Sequence, residues 1–597
     1  MPIFLGAISH RADSEFFAKL NLDFIRILNS NSSKELIKIK TDSCLVSIKL
    51  KDYEATHDQV IALPQNEGVI IGRLYSNHSN SISIIKQNYK AIQESNGQWL
   101  SQNCWGNYVC IIINSNTNLI SVYRDPMGLS QIYFIKIKDI IFFSSDLHLL
   151  VEAIGDKYDK LSIDWNYFAT YLSCGLLNTS KTPFREVNEL LPGCCLNFDA
   201  QDIKPKIFPF WDPTKIQLKS TNYDDGLIST INSSVNKLIA ETPRLCLEFS
   251  GGLDSTALLM SIMHSLKDKQ KCYFANYLNE EVASSNESIH AKNITDDFDL
   301  DLITNEIQFS PFPSKVEKWN RPYQDILWLN SKLSLLERCN NNIEFISGHG
   351  GDHLFLATAD STFLIDYLLH NGFNGFLDKL KQASLINRNS AFPILLNALK
   401  NLYRYIFKIK HKKHVVFPIR KKDWFTMELE KLVNPQIYRP PFWRNLSKVH
   451  PGKALHILQM YHATAHTGFE SPGVVKIYPF LSQPIVEYGL SIPTYESFNK
   501  DWSRFHFRRA ISNYFETKHV WRQSKGELTG VIQMCFSKHL TRIQELCLEG
   551  KFSQQNLIHK DLFKKHLYLL ANGRMDEQSL ATRLLLSELW FEAWGIK

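Results

Sequence analysis

From Arg244 to Ile307 the sequence switches repeatedly between two apolar periods. Arg244 to Phe249 is an apolar run of strand length, Asp254 to Leu266 has helical apolar spacing, Cys272 to Leu278 is strand-like, Glu287 to Phe298 is helical, and Leu302 to Ile307 completes a β-α-β-α-β alternation. Strands alternating with helices of this length predict an α/β fold, a doubly wound parallel sheet covered on both faces. Such sheets bind ligands in the loops at the carboxyl ends of their strands. The loop after the first strand reads Ser250-Gly251-Gly252-Leu253-Asp254-Ser255-Thr256 and runs straight into a helix. Glycines let backbone N–H groups approach an anion closely, the hydroxyls add donors, and the helix N-terminus adds its positive end. The segment is a phosphate cradle. It is not the Walker type, because the Gly452-Lys453 pair is followed by Ala454 rather than Ser or Thr.

Composition sets the number of domains. Single cores stop growing near ~250–300 residues, so a chain of 597 residues with 44% hydrophobic and 21% charged residues holds at least two. That ordinary balance excludes disordered, collagen-like and disulfide-scaffold classes. The amino-terminal half reads as short strands, among them Tyr108 to Ile113, Leu119 to Tyr123 and Asp139 to Phe143, with few helical patterns. From about Gln201 to Asp224 the sequence becomes Pro- and Lys-bearing, as a linker would. The expectation is a β-rich domain over 1–210 and an α/β domain over 222–597 that becomes mostly helical beyond Asp360.

Eleven cysteines without a CxxC pair, with Cys194 and Cys195 adjacent, match neither a disulfide nor a zinc framework. They read as reduced thiols of a cytoplasmic protein. No signal-peptide pattern opens the chain, and no run approaches the ~20 apolar residues of a transmembrane segment.

A second strand–glycine junction follows at Ile343 to Ile346: Ser347-Gly348-His349-Gly350-Gly351-Asp352-His353. Carboxylates from two strand ends suit a Mg²⁺ ion that bridges a triphosphate, which makes Asp254 and Asp352 the metal ligands. His349, Asp352 and His353 also suggest a transition-metal site. The three glycines argue against a helix there, and with it against the i, i+4 geometry that such a histidine pair needs.

Ser-Gly-Gly-x-Asp-Ser after a strand resembles the pyrophosphate loop of the N-type ATP pyrophosphatases. With the second loop, the resemblance is to the asparagine synthetase family, and more narrowly to its lasso peptide cyclase (macrolactam synthetase) branch. Tyr123-Arg124-Asp125-Pro126-Met127-Gly128 and Phe143-Ser144-Ser145-Asp146 resemble the family's "RDxxG" and "FxSE" segments. Thr182-Pro183-Phe184 and Leu191-Pro192-Gly193 resemble its approach to the second domain. Tyr478 to Tyr488 is similar to "PFLDxxxVE", and Arg522-Gln523-Ser524-Lys525-Gly526 to its late lysine motif.

The resemblance implies an Ntn-hydrolase-like, glutaminase-like first domain and an ATP pyrophosphatase domain. It also implies ATP as co-substrate with Mg²⁺, the phosphates being held by Ser250, Gly251, Gly252, Leu253, Asp254, Ser255, Gly348 and Lys525. Two departures modify it. Glutamine-dependent members carry cysteine after Met1, where this sequence has Pro2, and Arg73 replaces a glutamine-binding acid. Without that nucleophile glutamine releases no ammonia, so the first domain is expected to be a structural relic or a substrate platform. His349 stands where the family uses glutamate or tyrosine, and His353 replaces the acid after Asp352.

In the implied reaction a peptide Asp or Glu side chain is adenylated with release of pyrophosphate. The amine at the peptide's own amino terminus then attacks, closing a macrolactam and releasing AMP. An imidazole with an ordinary pKa near ~6.5 suits the base that takes the amine proton, which assigns His349. Lys525 would stabilise the oxyanion and the phosphates. The implied partners are a leader-cleaved precursor peptide and the leader peptidase. An ammonia-using asparagine synthetase, a β-lactam-forming relative and a nucleotide-binding scaffold are the alternatives.

The formal charge of +7 is local. From Lys400 to Lys422 there are nine bases and no acid, and without them 67 against 60 becomes 58 against 60, a remainder of −2. A solvated helix-loop face is the leading reading of that segment, ahead of a docking surface for precursor or peptidase and of a membrane-facing patch. No nucleic-acid-binding motif accompanies it, so no nucleic-acid partner is expected.

Overall fold

Val69 and Ile71 belong to one buried cluster and Ile70 and Leu74 to another, so the strand that carries them is covered on both faces. The same alternation separates Val109, Ile111 and Ile113 from Tyr108, Cys110 and Ile112. Successive strand side chains face opposite sides, so such strands need a layer on each side. The computed structural model supplies both. It describes residues 2–596 apart from 10–13, 30–36, 42, 51–58, 77–80, 115, 118, 156–160, 200–203, 220–222, 241, 243, 267–271, 308–311, 313–316, 324–326, 340–342, 408–418, 468–473, 524–525, 527–528 and 575–577.

The first half contains β1 (Ile3–Ile8), β2 (Ile37–Lys40), β3 (Cys44–Lys49), β4 (Gln59–Ala62), β5 (Gly68–Ser76), β6 (Cys104–Asn114), β7 (Leu119–Arg124), β8 (Tyr133–Ile137), β9 (Ile140–Ser144), β10 (Asn188–Glu189), β11 (Cys194–Asp199) and β12 (Lys206–Pro209). They form two antiparallel six-stranded sheets, ordered β10-β8-β9-β1-β3-β2 and β12-β11-β7-β6-β5-β4, stacked on a shared apolar layer. Helices α1 (Ser14–Asn29), α4 (Leu147–Ile154) and α5 (Trp165–Cys174) cover the first sheet, and α2 (Ser81–Glu94) and α3 (Gln98–Asn103) the second. The layering is therefore helix, sheet, sheet, helix.

The first half thus holds more helix than its sequence predicts. Helix α2 is rich in Ile and Ser, and α1 carries three Phe and two Ile, weaker helix formers that read as turn or strand. Their apolar stripes, Phe17, Leu20, Phe24 and Ile27 in α1, become helical because a sheet is there to receive them. The stretch expected as linker from about Gln201 likewise contains β12, an edge strand paired with β11 whose last residue is Pro209. Edge strands tolerate proline, so the residue that signals a linker also fits a sheet margin.

The third sheet consists of β13 (Leu245–Glu248), β14 (Cys272–Leu278), β15 (Leu302–Glu306), β16 (Glu344–Ile346) and β17 (Val475–Ile477), all parallel, in the order β15-β14-β13-β16-β17. Helices α6 (Tyr223–Ile239) and α7 (Leu253–Ser265) pack on Leu245 and Leu247, while α9 (Leu329–Arg338) packs on Cys246 and Phe345. Helix α8 (Ser288–Asp297) joins β14 to β15. The chain builds outward from β13 through β14 to β15, then returns to place β16 on the other side of β13. That reversal is where doubly wound sheets open a ligand crevice.

Beyond the sheet the described chain is largely helical. Helices α11 (Ser361–Asn371), α12 (Phe376–Ile386) and α13 (Ala391–Ile406) enclose a small core of their own around Phe363, Leu364 and Leu380. The helices from Thr529 onward pack on the outer layer of the first half, so Phe168 and Trp590 lie in one cluster. The two halves also share a buried ion pair: Arg73 of β5 donates two hydrogen bonds to Glu344 of β16, at 2.8 Å and 2.5 Å. All eleven cysteines are buried free thiols.

Candidate active site

The cradle follows directly from β13. Gly251 has φ +69 and lies so close to α8 that a Cβ would sit 3.0 Å from the Ala291 nitrogen. Only glycine takes that backbone and that approach without strain. Gly252 caps α7 and donates its N–H to Ser250 Oγ at 3.2 Å, and Ser255 Oγ lies 3.3 Å from the same oxygen. The loop is thereby folded over the helix start. The first N–H groups of a helix have no partner within it, so the 13-residue α7 presents donors and its positive dipole end at the loop.

The second loop packs on the first. A Cβ on Gly351 would lie 2.3 Å from Asp254 Oδ1, and one on Gly348 would lie 3.0 Å from Asp254 Cβ. These glycines are gaps that receive Asp254. The expectation that they preclude a helix needs correcting: residues Gly351–Leu354 form one helical turn, α10, capped by Gly350 at φ +98. The ring centroids of His349 and His353 lie 6.0 Å apart. Among the described residues, however, no group of three His, Cys, Asp or Glu side chains is assembled to hold a metal ion.

Asp254 and Asp352 do come together, around a residue that the sequence reading missed. Arg504 Nη1 donates to Asp254 Oδ1 at 2.9 Å and Oδ2 at 2.7 Å, and lies 2.7 Å from Asp352 Oδ1. Arg504 is largely buried and stands at φ +54, one residue before the helix Phe505–Phe515. Burial alone would lower its pKa, but Asp254 and then Asp352 overcome that and hold it above the ordinary value. Arg508, one turn on, is lowered to about 10 by burial and by Arg504. Three arginines within six residues, Arg504, Arg508 and Arg509, are a charge cluster legible in the sequence; the carboxylates that Arg504 meets, far off in sequence, are not.

His349 stands three residues before Asp352 in the same loop. Its Nε2 lies 3.0 Å from the Ala463 carbonyl, which can only accept, so Nε2 carries the proton and Nδ1 is the nitrogen left to take another. The rings of His353, His466 and Tyr478 each lie 6.0 Å from it. Burial, then His349, lower the His353 pKa, and its Nδ1 is buried without a hydrogen-bond partner among the described residues. Lys525 lies outside the described residues. Its flanks are anchored at α8, where Glu287 pairs with Arg522 at 2.9 Å and accepts from the Gly526 N–H at 2.9 Å.

The parallel sheet, with a glycine-rich strand–helix loop and two carboxylates at its reversal point, has the architecture of the α/β synthetase class. A family model described as asparagine synthase matches residues 226–595, and one described as a glutamine amidotransferase domain matches residues 87–211. The chain belongs to the asparagine synthase family. It is 20% identical over 411 residues to the microcin J25-processing protein McjC of Escherichia coli, which spans 66% of each chain. It is 22% identical over 254 residues to asparagine synthetase [glutamine-hydrolyzing] 1 of Bacillus subtilis (strain 168), spanning 42% of this chain and 39% of that one. Among solved structures, an allosteric regulatory enzyme of purine biosynthesis aligns over 51% of this chain and 74% of its own at 11% identity and TM-score 0.19. A glutamine phosphoribosylpyrophosphate amidotransferase from B. subtilis aligns over 44% and 57% at 13% identity and TM-score 0.19.

Proposed function

We propose that the chain is a lasso peptide cyclase. A side-chain carboxylate of a leader-cleaved precursor peptide attacks the α-phosphorus of ATP, and pyrophosphate leaves. The amine at the peptide's amino terminus then attacks the resulting acyl-adenylate carbon, the amide forms and AMP leaves. The observation that carries this reading is the meeting of the loops after β13 and β16, with two carboxylates on one guanidinium nitrogen and His349 in the same loop as one of them.

Each residue has a share in that chemistry. The Ser250 to Ser255 loop and the start of α7 would bind the pyrophosphate being expelled, since donors fixed before reaction cost no reorganisation during it. Gly348 belongs to the same floor through its contact with Asp254. His349 would take the amine proton on Nδ1 while the Ala463 carbonyl holds its ring. Lys525 would stand by the phosphates and the tetrahedral oxyanion. Two carboxylates offer the hard oxygen donors that suit Mg²⁺, so Asp254 and Asp352 would hold that ion, which supplies charge neutralisation on the triphosphate. Arg504, the cation between them in the structure, would then turn its charge to the phosphates.

The first domain, bounded between residues 210 and 222, acts in this proposal as a platform and not as a glutaminase. Its Arg73 is committed to Glu344, at the start of the strand that leads to His349. The similarity to a microcin J25-processing protein supports a peptide substrate; a cytoplasmic site of action and a leader peptidase as partner belong to the proposal itself.

Pyrophosphate exchange tests the proposal. Exchange that requires the leader-free precursor is expected, and exchange driven by free aspartate would instead mark an asparagine synthetase. His349→Ala should keep peptide-dependent pyrophosphate release and lose ring closure; cyclisation at the normal rate would remove His349 from the mechanism.

A further inference from the structure

Helix α13 exposes the wrong residues for a solvated helix. Phe392, Leu396, Leu399, Tyr403 and Ile406 are each between 49% and 66% exposed. At about 100° per residue they fall within one arc roughly 80° wide. The opposite side, Ile394 and Ala398, is buried in the small core shared with α11 and α12. The stripe is thus a second apolar face, not a misplaced core face. Phe373 in the turn before α12 and Leu377 in its first turn are also exposed, at 83% and 75%, and the end of the stripe carries the Tyr403–Phe407 ring pair at 4.6 Å.

The charge on the α12–α13 hairpin has one sign. From 371 to 407 there are five bases (Lys379, Lys381, Arg388, Lys400 and Arg404) against one acid, Asp378. On α13, Lys400 and Arg404 stand one turn apart along one border of the stripe, and neither makes an ion pair among the described residues. A second copy of the chain would bring bases onto bases across a two-fold contact, which disfavours self-association. A protein partner would find few polar anchors, since stable interfaces carry about one hydrogen bond per 100–200 Å² and the stripe offers a single tyrosine hydroxyl. Apolar residues bordered by lysine and arginine, with aromatic rings at one end, match a helix lying in a membrane interface. No described helix is long and apolar enough to cross a membrane, so the contact is one of lying on the surface.

We infer that the α12–α13 hairpin docks the enzyme peripherally on an anionic lipid surface, the stripe entering the headgroup boundary and Lys400 and Arg404 pairing with lipid phosphates. This narrows the earlier reading of the basic segment to a helix face that the structure describes. It is independent of the reaction assigned to the site.

The test is co-sedimentation of the full chain with vesicles of phosphatidylcholine alone and of phosphatidylcholine mixed with phosphatidylglycerol. The chain should sediment with the mixed vesicles, weakly with the neutral ones, and be released by high salt. Leu396→Glu with Leu399→Glu, and separately Lys400→Glu with Arg404→Glu, should each lower the partition coefficient at least ~10-fold. Both variants should keep the unfolding midpoint and ATP-dependent pyrophosphate release. No sedimentation with anionic vesicles, or sedimentation unchanged by both variants, overturns the inference. So does a dimer in solution that the leucine variant makes monomeric, or binding to polyglutamate in place of vesicles.

Discussion

Replacing Gly351 with alanine adds one methyl group and tests the architecture of the site. The new Cβ would lie 2.3 Å from Asp254 Oδ1 and 2.6 Å from its Cγ, whereas ordinary contact begins at 3.4 Å, so the carboxylate must retreat by about 1.1 Å. Arg504 grips that carboxylate from the other side, which leaves it little room to turn in place. A displacement of ~1 Å in a reacting constellation costs on the order of 10²-fold in rate, near 2.7 kcal/mol of barrier. Stability should fall by less than the barrier rises, because the overpacking falls on one side chain and the helical preference of alanine offsets part of it. Gly351 has an ordinary helical backbone, and alanine in a helix is favoured over glycine by roughly 0.5–1 kcal/mol. The assay is kcat/KM for ATP-dependent pyrophosphate release beside thermal unfolding. Gly226→Ala in α6 is the control, because its Cβ would crowd a side chain outside the site as closely, lying 2.2 Å from the Tyr488 hydroxyl. Normal turnover by Gly351→Ala would show that Asp254 has no part in the chemistry. An equal loss in both variants would show that turnover responds to added bulk alone.

Two further outcomes follow from buried charge. Arg73→Met should cost about 3–5 kcal/mol in urea unfolding because it strands Glu344, and adding Glu344→Leu should recover most of that; a single-variant loss below ~1 kcal/mol would count against the inter-domain clamp. His456 is buried, donates from Nε2 to the Leu354 carbonyl at 2.7 Å, and is lowered from 6.5 to about 3 by burial and then Lys453. Between those values the unfolded chain binds the proton and the folded chain does not. The His456 contribution therefore falls as pH drops through that window, by up to ~1.4 kcal/mol per pH unit. His456→Phe should gain on the parent protein as acid is added, and a difference that stays flat from pH 6.5 to about pH 4 would refute the assignment.

What could be read from sequence and what could not divide along the range of the interactions. Ser250 to Ser255 and the alternation from Arg244 to Ile307 are local: each strand, turn and helix carries its own period and its own glycines, and β13, α7, β14, α8 and β15 stand where those periods place them. Arg504 is 250 residues from Asp254, and nothing in its surroundings names the carboxylates it joins. Gly348 and Gly351 looked like loop glycines because the object they make room for is a side chain from another strand end. Helices α1 and α2 depend on a sheet that lies elsewhere in the sequence. The sign of the segment from Lys400 could be counted, but the apolar stripe beside it appears only once Ile394 and Ala398 are known to face inward.

In the platform role proposed for the first domain, the shared cores give a reason for it to persist. Tyr108 and Tyr123 lie in one cluster with Leu245 and Phe480, and Phe168 lies in another with Phe591. Removing the first half would bare the second along both surfaces.

The eleven buried thiols have a practical consequence. Burial pushes Cys44, Cys104, Cys194, Cys272 and Cys535 up to about 12, so at neutral pH almost none of their thiolate exists to meet an alkylating dye. The unmodified chain is already a silent background for maleimide labelling. A cysteine introduced at an exposed position such as Leu396 would take a fluorophore or spin label alone, with none of the native cysteines removed.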